Sequence, residues 1–226
     1  MHNAEKLLTP RLEMVASLVP KSDIVCDIGT DHAYLPIYLV KKGISKKVIA
    51  SDINKGPLMQ AEKNITAYGE TDSVKTRLSD GFSSYEYGEV ETAVIAGMGG
   101  ETIAEIIKND KGIAFFILQP QSAHSELRTF LSSNGYVIER EKICREGRKM
   151  YVAMAVSRGE SRELSIVEKE IGPCLIEERP PLFKDYIRYR LYEINCIYEK
   201  IKGSDASVRI REIAELKKLY EELLND

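Results

Sequence analysis

Apolar runs and helix-patterned segments alternate between residues 23 and 133, and the first four apolar runs each end in an acid or a glycine. "DIVCDIG" (23–29) precedes a helical stretch over 33–42 that stops at Gly43. "KKVIASD" (46–52) precedes a helix over 56–69 with Pro57 at its start and Gly69 just past its end. "SVKTRLSDG" (73–81) and "VETAVIAGMGG" (90–100) are the third and fourth runs. Helix 101–109, strand "GIAFFILQP" (112–120) and helix 124–133 follow. Regular alternation of this kind predicts a parallel, doubly wound α/β sheet. Two further extended segments, 136–144 and 149–157, flank "REGRK" and read as a hairpin, so the seventh and last strand is expected to run antiparallel. Ahead of the sheet, Thr9 and Pro10 read as an N-cap and first helical residue, with Leu12, Val15, Ala16 and Val19 on one face.

The pattern changes near residue 158. "SRGESRELS" is polar, and beyond it no strand pattern occurs. Ile187, Leu191, Ile194, Tyr198 and Ile201 fall at helical spacing, as do Ile213, Leu216, Tyr220 and Leu223, with "GSDAS" (203–207) between them. This predicts an antiparallel helical hairpin. The expected division is a Rossmann-like unit over 1–158 and a helical unit over 159–226. The chain has 226 residues, 43% of them hydrophobic and 30% charged, which suits a soluble, globular protein with a real core. A formal net charge of -3 shows no global basic field. No apolar run approaches the ~20 residues that span a bilayer, and the N-terminus has no secretory pattern. Cys26, Cys144, Cys174 and Cys196 are widely spaced and lie in apolar contexts, so reduced, buried thiols and a cytoplasmic location are expected, with no metal site.

The turn after the first strand carries the chemistry. Gly29 permits a tight turn and close ligand approach. Asp31 and Ala33 stand where a dinucleotide site has further glycines, and a carboxylate there repels a diphosphate. A ligand with an amino group, a positive charge and hydroxyls suits these residues better, and S-adenosylmethionine has all three. Asp27 or Asp31 is placed to accept from its amino group, Asp52 to hold ribose hydroxyls, and Asp80 with Gly81 to meet the adenine. Ala96, Gly97, Met98 and Gly99 keep side chains small where cofactor and substrate must meet. Each feature also has a plain structural use: D-x-G turns serve turning alone, Asp52 caps a following helix, Asp80-Gly81 is an ordinary turn pair, and the glycines allow close packing. Their joint occurrence at successive strand ends favours the binding reading.

With these residues in view, the chain resembles the class I S-adenosylmethionine-dependent methyltransferases. More narrowly, it resembles the bacterial tRNA (adenine-N1)-methyltransferase family that modifies adenine 22. The likeness rests on "LTPRL" (8–12), "DIGTDHAYLP" (27–36), "ASDINKGPL" (50–58), "LSDGF" (78–82), "IAGMGG" (95–100), "LQPQ" (118–121), "EIGPCL" (170–175) and "PPLFKDYI" (180–187). It implies a Rossmann-like seven-stranded methyltransferase sheet with a C-terminal, coiled-coil-like helical domain, S-adenosylmethionine as cofactor and tRNA as partner. The expected cofactor residues are Asp27, Gly29, Thr30, Asp31, His32, Asp52, Ile53, Asp80, Gly81, Ala96, Gly97, Met98 and Gly99. Asp31 and His32 are also the catalytic candidates. The chain lacks the G-x-G-x-G turn of the wider class and the N/D-P-P-Y/F motif of exocyclic-amine methyltransferases, which fits attack by a ring nitrogen.

Substrate binding needs local cation density. Arg11, Arg145, Arg148, Lys184 and Arg188 are the candidates, with tyrosines interleaved over 184–202 for base stacking. Residues 159–226 carry twelve Lys+Arg against fifteen Asp+Glu, so most of these positions read equally as a solvated helix face. Two alternatives remain open at this point: a methyltransferase of the same fold with another substrate, and a non-catalytic RNA-binding or coiled-coil module. A nicotinamide dehydrogenase is opposed by Asp31 and the missing glycines.

Overall fold

A computed structural model describes residues 7–202 and 207–225. The turn expected at 203–207 lies outside the described residues up to the start of the last helix. Seven strands form one sheet in the order β3-β2-β1-β4-β5-β7-β6. They are β1 (Ser22–Ile28), β2 (Ser45–Asp52), β3 (Val74–Leu78), β4 (Thr92–Gly99), β5 (Phe115–Ser122), β6 (Tyr136–Glu146) and β7 (Lys149–Arg158). Strands β1 to β5 pair in parallel, while β7 is antiparallel to both β5 and β6. The hairpin expectation therefore holds, and the last strand inserts between its predecessor and the rest of the sheet. Its two-residue turn is Gly147-Arg148, where Gly147 has φ 61°, a conformation a tight hairpin requires and glycine adopts without strain.

The middles of the central strands are apolar because both faces are covered. On β1, β4 and β5, Cys26, Ile95 and Phe116 pack on one side with α4 (Gly100–Lys108) and α5 (His124–Ser133). Val25, Val94 and Ile117 pack on the other with α1 (Pro10–Ala16) and α2 (Tyr34–Lys41). α3 (Lys55–Ala67) covers β2 and β3 through Ala61 and Ile65. Of the four free cysteines only Cys26 is fully buried; Cys144, Cys174 and Cys196 are partly exposed, because their elements lie nearer the surface than their apolar neighbours imply.

Beyond β7 come α6 (Ile166–Ile171), α7 (Pro173–Glu178), α8 (Phe183–Ile201) and α9 (Ser207–Asn225). The predicted stripe appears as Ile187 and Ile194 on α8 facing Ile213, Tyr220 and Leu223 on α9. Lys184, near the start of α8, donates to the Leu224 carbonyl near the end of α9 (3.2 Å), so the pair is antiparallel. This apolar cluster takes in Met150 and Val152 of β7, so the helices share a core with the sheet edge.

A buried ion pair makes the junction. Arg128 of α5 and Glu141 of β6 both have fully buried side chains, 2.8 Å apart. The guanidinium also donates to the carbonyls of Lys169, Glu170 and Ile171 at the end of α6 (2.8, 3.2 and 3.0 Å). The other Glu141 oxygen accepts from the Cys174 amide (3.1 Å). A side chain at Gly172 would collide with the Glu141 carboxylate, which only glycine avoids. Removing one member of such a pair leaves a buried charge uncompensated, at a cost of roughly 3–5 kcal/mol. Arg128→Met is therefore expected to lose stability on that order in urea unfolding. Arg128→Met with Glu141→Leu should recover part of the loss but stay below the parent, since three carbonyls still lack their donor.

Candidate active site

Parallel pairing brings the carboxyl ends of β1 to β4 to one edge of the sheet. There Gly29, Asp52, Ile53, Asp80, Gly81 and Met98 line a single cavity of about 600 Å³. The register that places them matches Ile28 with Ser51, Ile28 with Ile95 and Asp52 with Leu78. A hollow of about 740 Å³ among Pro20, Phe115 and Arg158 lies at the opposite end of the strands, away from these residues.

The turn after β1 is rigid. The amides of Gly29 and Thr30 both donate to the Ser51 carbonyl (2.8 and 2.9 Å). β2 takes both N–H groups, so these two amides form no cradle for a phosphate. Gly29 has φ 80°, and a Cβ there would strike the Met98 methyl. Asp52 accepts from the Asn54 amide through Oδ1 (2.6 Å), shaping the turn into α3 and leaving its second oxygen uncommitted among the described residues. The Asp80-Gly81 loop is held by Ser79, whose hydroxyl donates to the Gly81 carbonyl (2.8 Å). Arg77 braces the same loop with a bidentate pair to Glu89 (2.7 and 2.5 Å) and lies over the Tyr85 ring.

Asp27 is buried at the end of β1, and burial pushes its carboxyl up to about 6, against a hydrogen bond to Thr30 that favours the charged form. Asp31 and His32 follow Gly29 but do not line the cavity. Asp31 is exposed and sits 3.1 Å from His32 Nε2. The His32 ring stacks on Tyr34, and its Nδ1 is buried with no partner among the described residues. Ala96, Gly97 and Gly99 continue along the β4 tip beside Met98.

Arg11 lies against this tip. Its Nη1 donates to Gln119 of β5 (2.8 Å) and stands near Gly97, and its amide donates to Glu146 (2.9 Å). The other cations lie on the hairpin and the helical unit. Arg145 and Arg188 both pair with Asp185 (2.9 and 3.0 Å), Lys184 is tied to α9, and Arg148 is exposed in the hairpin turn. Residues missed in the sequence are Thr102, Glu105, Ile106 and Asn109, which form the far wall of the cavity. Their spacing is one helical stripe, so the periodicity of α4 carried the signal. Its direction toward the strand tips did not show in the sequence.

A family model described as TrmK: tRNA (adenine(22)-N(1))-methyltransferase matches residues 25–222. A Bacillus subtilis protein named tRNA (adenine(22)-N(1))-methyltransferase is 30% identical and covers 98% of each chain. Streptococcus pneumoniae Sp1610, solved in complex with S-adenosyl-L-methionine, superposes with TM-score 0.85 at 32% identity, covering 96% of this chain and 99% of that one. TrmK of M. capricolum, solved with S-adenosyl-homocysteine, gives TM-score 0.83 at 30% identity over 97% and 98%.

The Asp27 environment predicts a pH signature. Its pKa is higher in the folded protein than in the unfolded chain, so its stabilising contribution is complete below the ordinary value of 3.8 and is lost as pH rises through about 6. Asp27→Asn keeps an acceptor for Thr30 and removes the buried charge. It should raise stability at pH 8 by at most about 3 kcal/mol, with the gain vanishing near pH 4. Urea unfolding across that range checks this; a variant less stable at every pH contradicts it.

Proposed function

The chain belongs to the tRNA (adenine(22)-N(1))-methyltransferase family, and from that premise we propose how its residues carry the reaction. The activity is transfer of a methyl group from S-adenosylmethionine to ring nitrogen N1 of adenine 22 in tRNA. One observation supports the strand-tip cavity as the cofactor site: the carboxylates Asp52, Asp80 and Glu105 all line it, with Lys111 as the one cation of that lining and Lys108 paired to Glu105 beside it. Such a site disfavours a diphosphate and suits a cationic nucleoside with hydroxyls and amino groups. Asp52 holds the ribose, Ile53 and Gly81 leave room beside the adenine, and Asp80 accepts from its amino group. Asp27, Thr30, Asp31 and His32 hold the amino-acid end above Gly29, with Ala96, Gly97, Met98 and Gly99 leaving space toward the substrate.

Bound there, S-adenosylmethionine supplies an electrophilic methyl group on a sulfonium. Adenine N1 already has an in-plane lone pair, so no residue need deprotonate it, and the protein acts by alignment. The methylated ring is cationic. Asp31 is the carboxylate placed to stabilise that charge as it develops, and His32, 3.1 Å from it, orients Asp31 or the base. Arg11 guides the RNA at the β4 tip, where Gln119 fixes its guanidinium. Arg145, Arg148, Lys184 and Arg188 contact phosphates. The exposed pairs to Asp185 contribute little, so an RNA phosphate displaces Asp185 at small cost. In this reading residues 1–158 are the catalytic unit and 159–226 the RNA-gripping unit, and the protein works in the cytoplasm, where tRNA is its partner. No helix among the described residues is long and apolar enough to cross a membrane.

Incubation with labelled S-adenosylmethionine and unmodified tRNA should place label in 1-methyladenosine; label in another nucleoside, or cofactor binding without transfer, contradicts the reading. Asp52→Ala is expected to weaken cofactor binding about tenfold or more by calorimetry, the scale of a lost charge-assisted hydrogen bond. For Asp31→Ala, single-turnover methylation at saturating cofactor should fall roughly a hundredfold. An unchanged single-turnover rate with weakened cofactor binding would make Asp31 a binding residue only.

A further inference from the structure

A second cleft, of about 940 Å³, opens on the other side of the β4 tip, between the start of α5 and the faces of α8 and α9. Only a strand spacing separates the two spaces: Met98, a wall of the cofactor cavity, pairs in register with Pro120, a wall of the cleft. Adjacent strands lie about 4.8 Å apart, a distance that a purine ring spans.

The cleft holds hydrogen-bonding groups that the fold does not use. Tyr186 is buried to 2% exposure, lines the cleft, and its hydroxyl has no partner among the described residues. The Nε of Arg190 is likewise buried without a partner. Across the cleft α5 begins at His124, preceded by Ala123 at φ 53° with no side-chain cap. Burial, with the Arg128 and Arg190 guanidinium groups, holds the His124 imidazole down at about 3, so it is a neutral hydrogen-bonding group. The charges of the cleft are balanced: Lys149, Arg190 and Arg209 against Glu126, Glu170 and Glu193. Arg190 is already paired with Glu170 (3.4 Å), which also accepts from Tyr220. Such a lining is poor for a phosphate and good for a neutral, flat, acceptor-bearing ring. Tyr151 and Tyr189 supply ring faces in the same cleft.

Resting on the methyltransferase reading above, we propose that this cleft receives the adenine to be methylated, drawn out of the RNA stack. The ring lies against Tyr151 and Tyr189, and a purine acceptor other than N1 takes the Tyr186 hydroxyl. Adenine fits these donors because N3 and N7 accept hydrogen bonds while N1 remains free as the nucleophile. Extrusion of the target is the general answer to a reacting atom buried in a base stack.

The test uses the full chain with unmodified tRNA. Tyr186→Phe removes only an unpartnered hydroxyl, so its Tm should equal or exceed that of the parent. Affinity for S-adenosylhomocysteine should stay within about twofold, while kcat/KM for tRNA falls about tenfold or more, the scale set by losing one hydrogen bond in recognition. His124→Asn should show the same separation. With 2-aminopurine at the target position, fluorescence should rise when the parent binds with S-adenosylhomocysteine, and the rise should be mostly lost in Tyr186→Phe. Both variants folded, with parental kcat/KM and parental brightening, would overturn the proposal while leaving the methyltransferase reading intact. A parent that methylates no tRNA would overturn both.

Discussion

In-register parallel pairing of β1 with β2 and β4, and of β2 with β3, is the constraint on which the functional geometry depends. It places the carboxyl ends of four strands side by side, so residues as far apart in sequence as Gly29 and Asn109 share one cavity. A slip of one residue would turn the strand side chains to the opposite face and carry Asp52 away from Gly29. The apolar packing of both sheet faces opposes that slip, since the apolar residues at the middle of the central strands, Val25, Cys26, Val94, Ile95, Phe116 and Ile117, are already committed to one layer or the other. The site is thus a consequence of the core, and its acids face water only where the strands end.

Much of this was legible in the sequence because strand ends announce themselves. Gly29, Asp52, Asp80, Gly81 and Met98 each follow an apolar run, and all five reached the same cavity. The insertion of β7 between β5 and β6 was not legible, because a hairpin pattern gives the pairing of its two strands and not the edge to which they add. The hold of β2 on the Gly29 and Thr30 amides was not legible for a related reason. Their acceptor, the Ser51 carbonyl, is a tertiary partner more than twenty residues away. Helices α6 and α7 are short, with too few turns for periodicity, although Ser165 and Glu168 form a capping box whose S-x-x-E signature stands in the sequence.

Arg128 shows the limit most clearly. Sequence alone makes it an ordinary surface cation of an amphipathic helix beside Leu127 and Leu131. In the fold its charge is met by Glu141 and by three carbonyls at the end of α6. That cluster sets where α6 leaves the sheet and so where α8 stands relative to the β5 tip. The cleft beside the strand-tip cavity is framed by this placement. The two spaces, one lined by carboxylates and one balanced in charge, flank the tip of β4, where small residues, Ala96, Gly97 and Gly99, surround Met98.

The account rests on the strand-tip cavity being the cofactor site, and a crystal structure with S-adenosylhomocysteine tests that most directly. The account predicts the nucleoside between Gly29 and Asp80, with a ribose hydroxyl within hydrogen-bonding distance of Asp52. Density for the ligand elsewhere, or an Asp52 carboxylate turned away from it, would contradict the account.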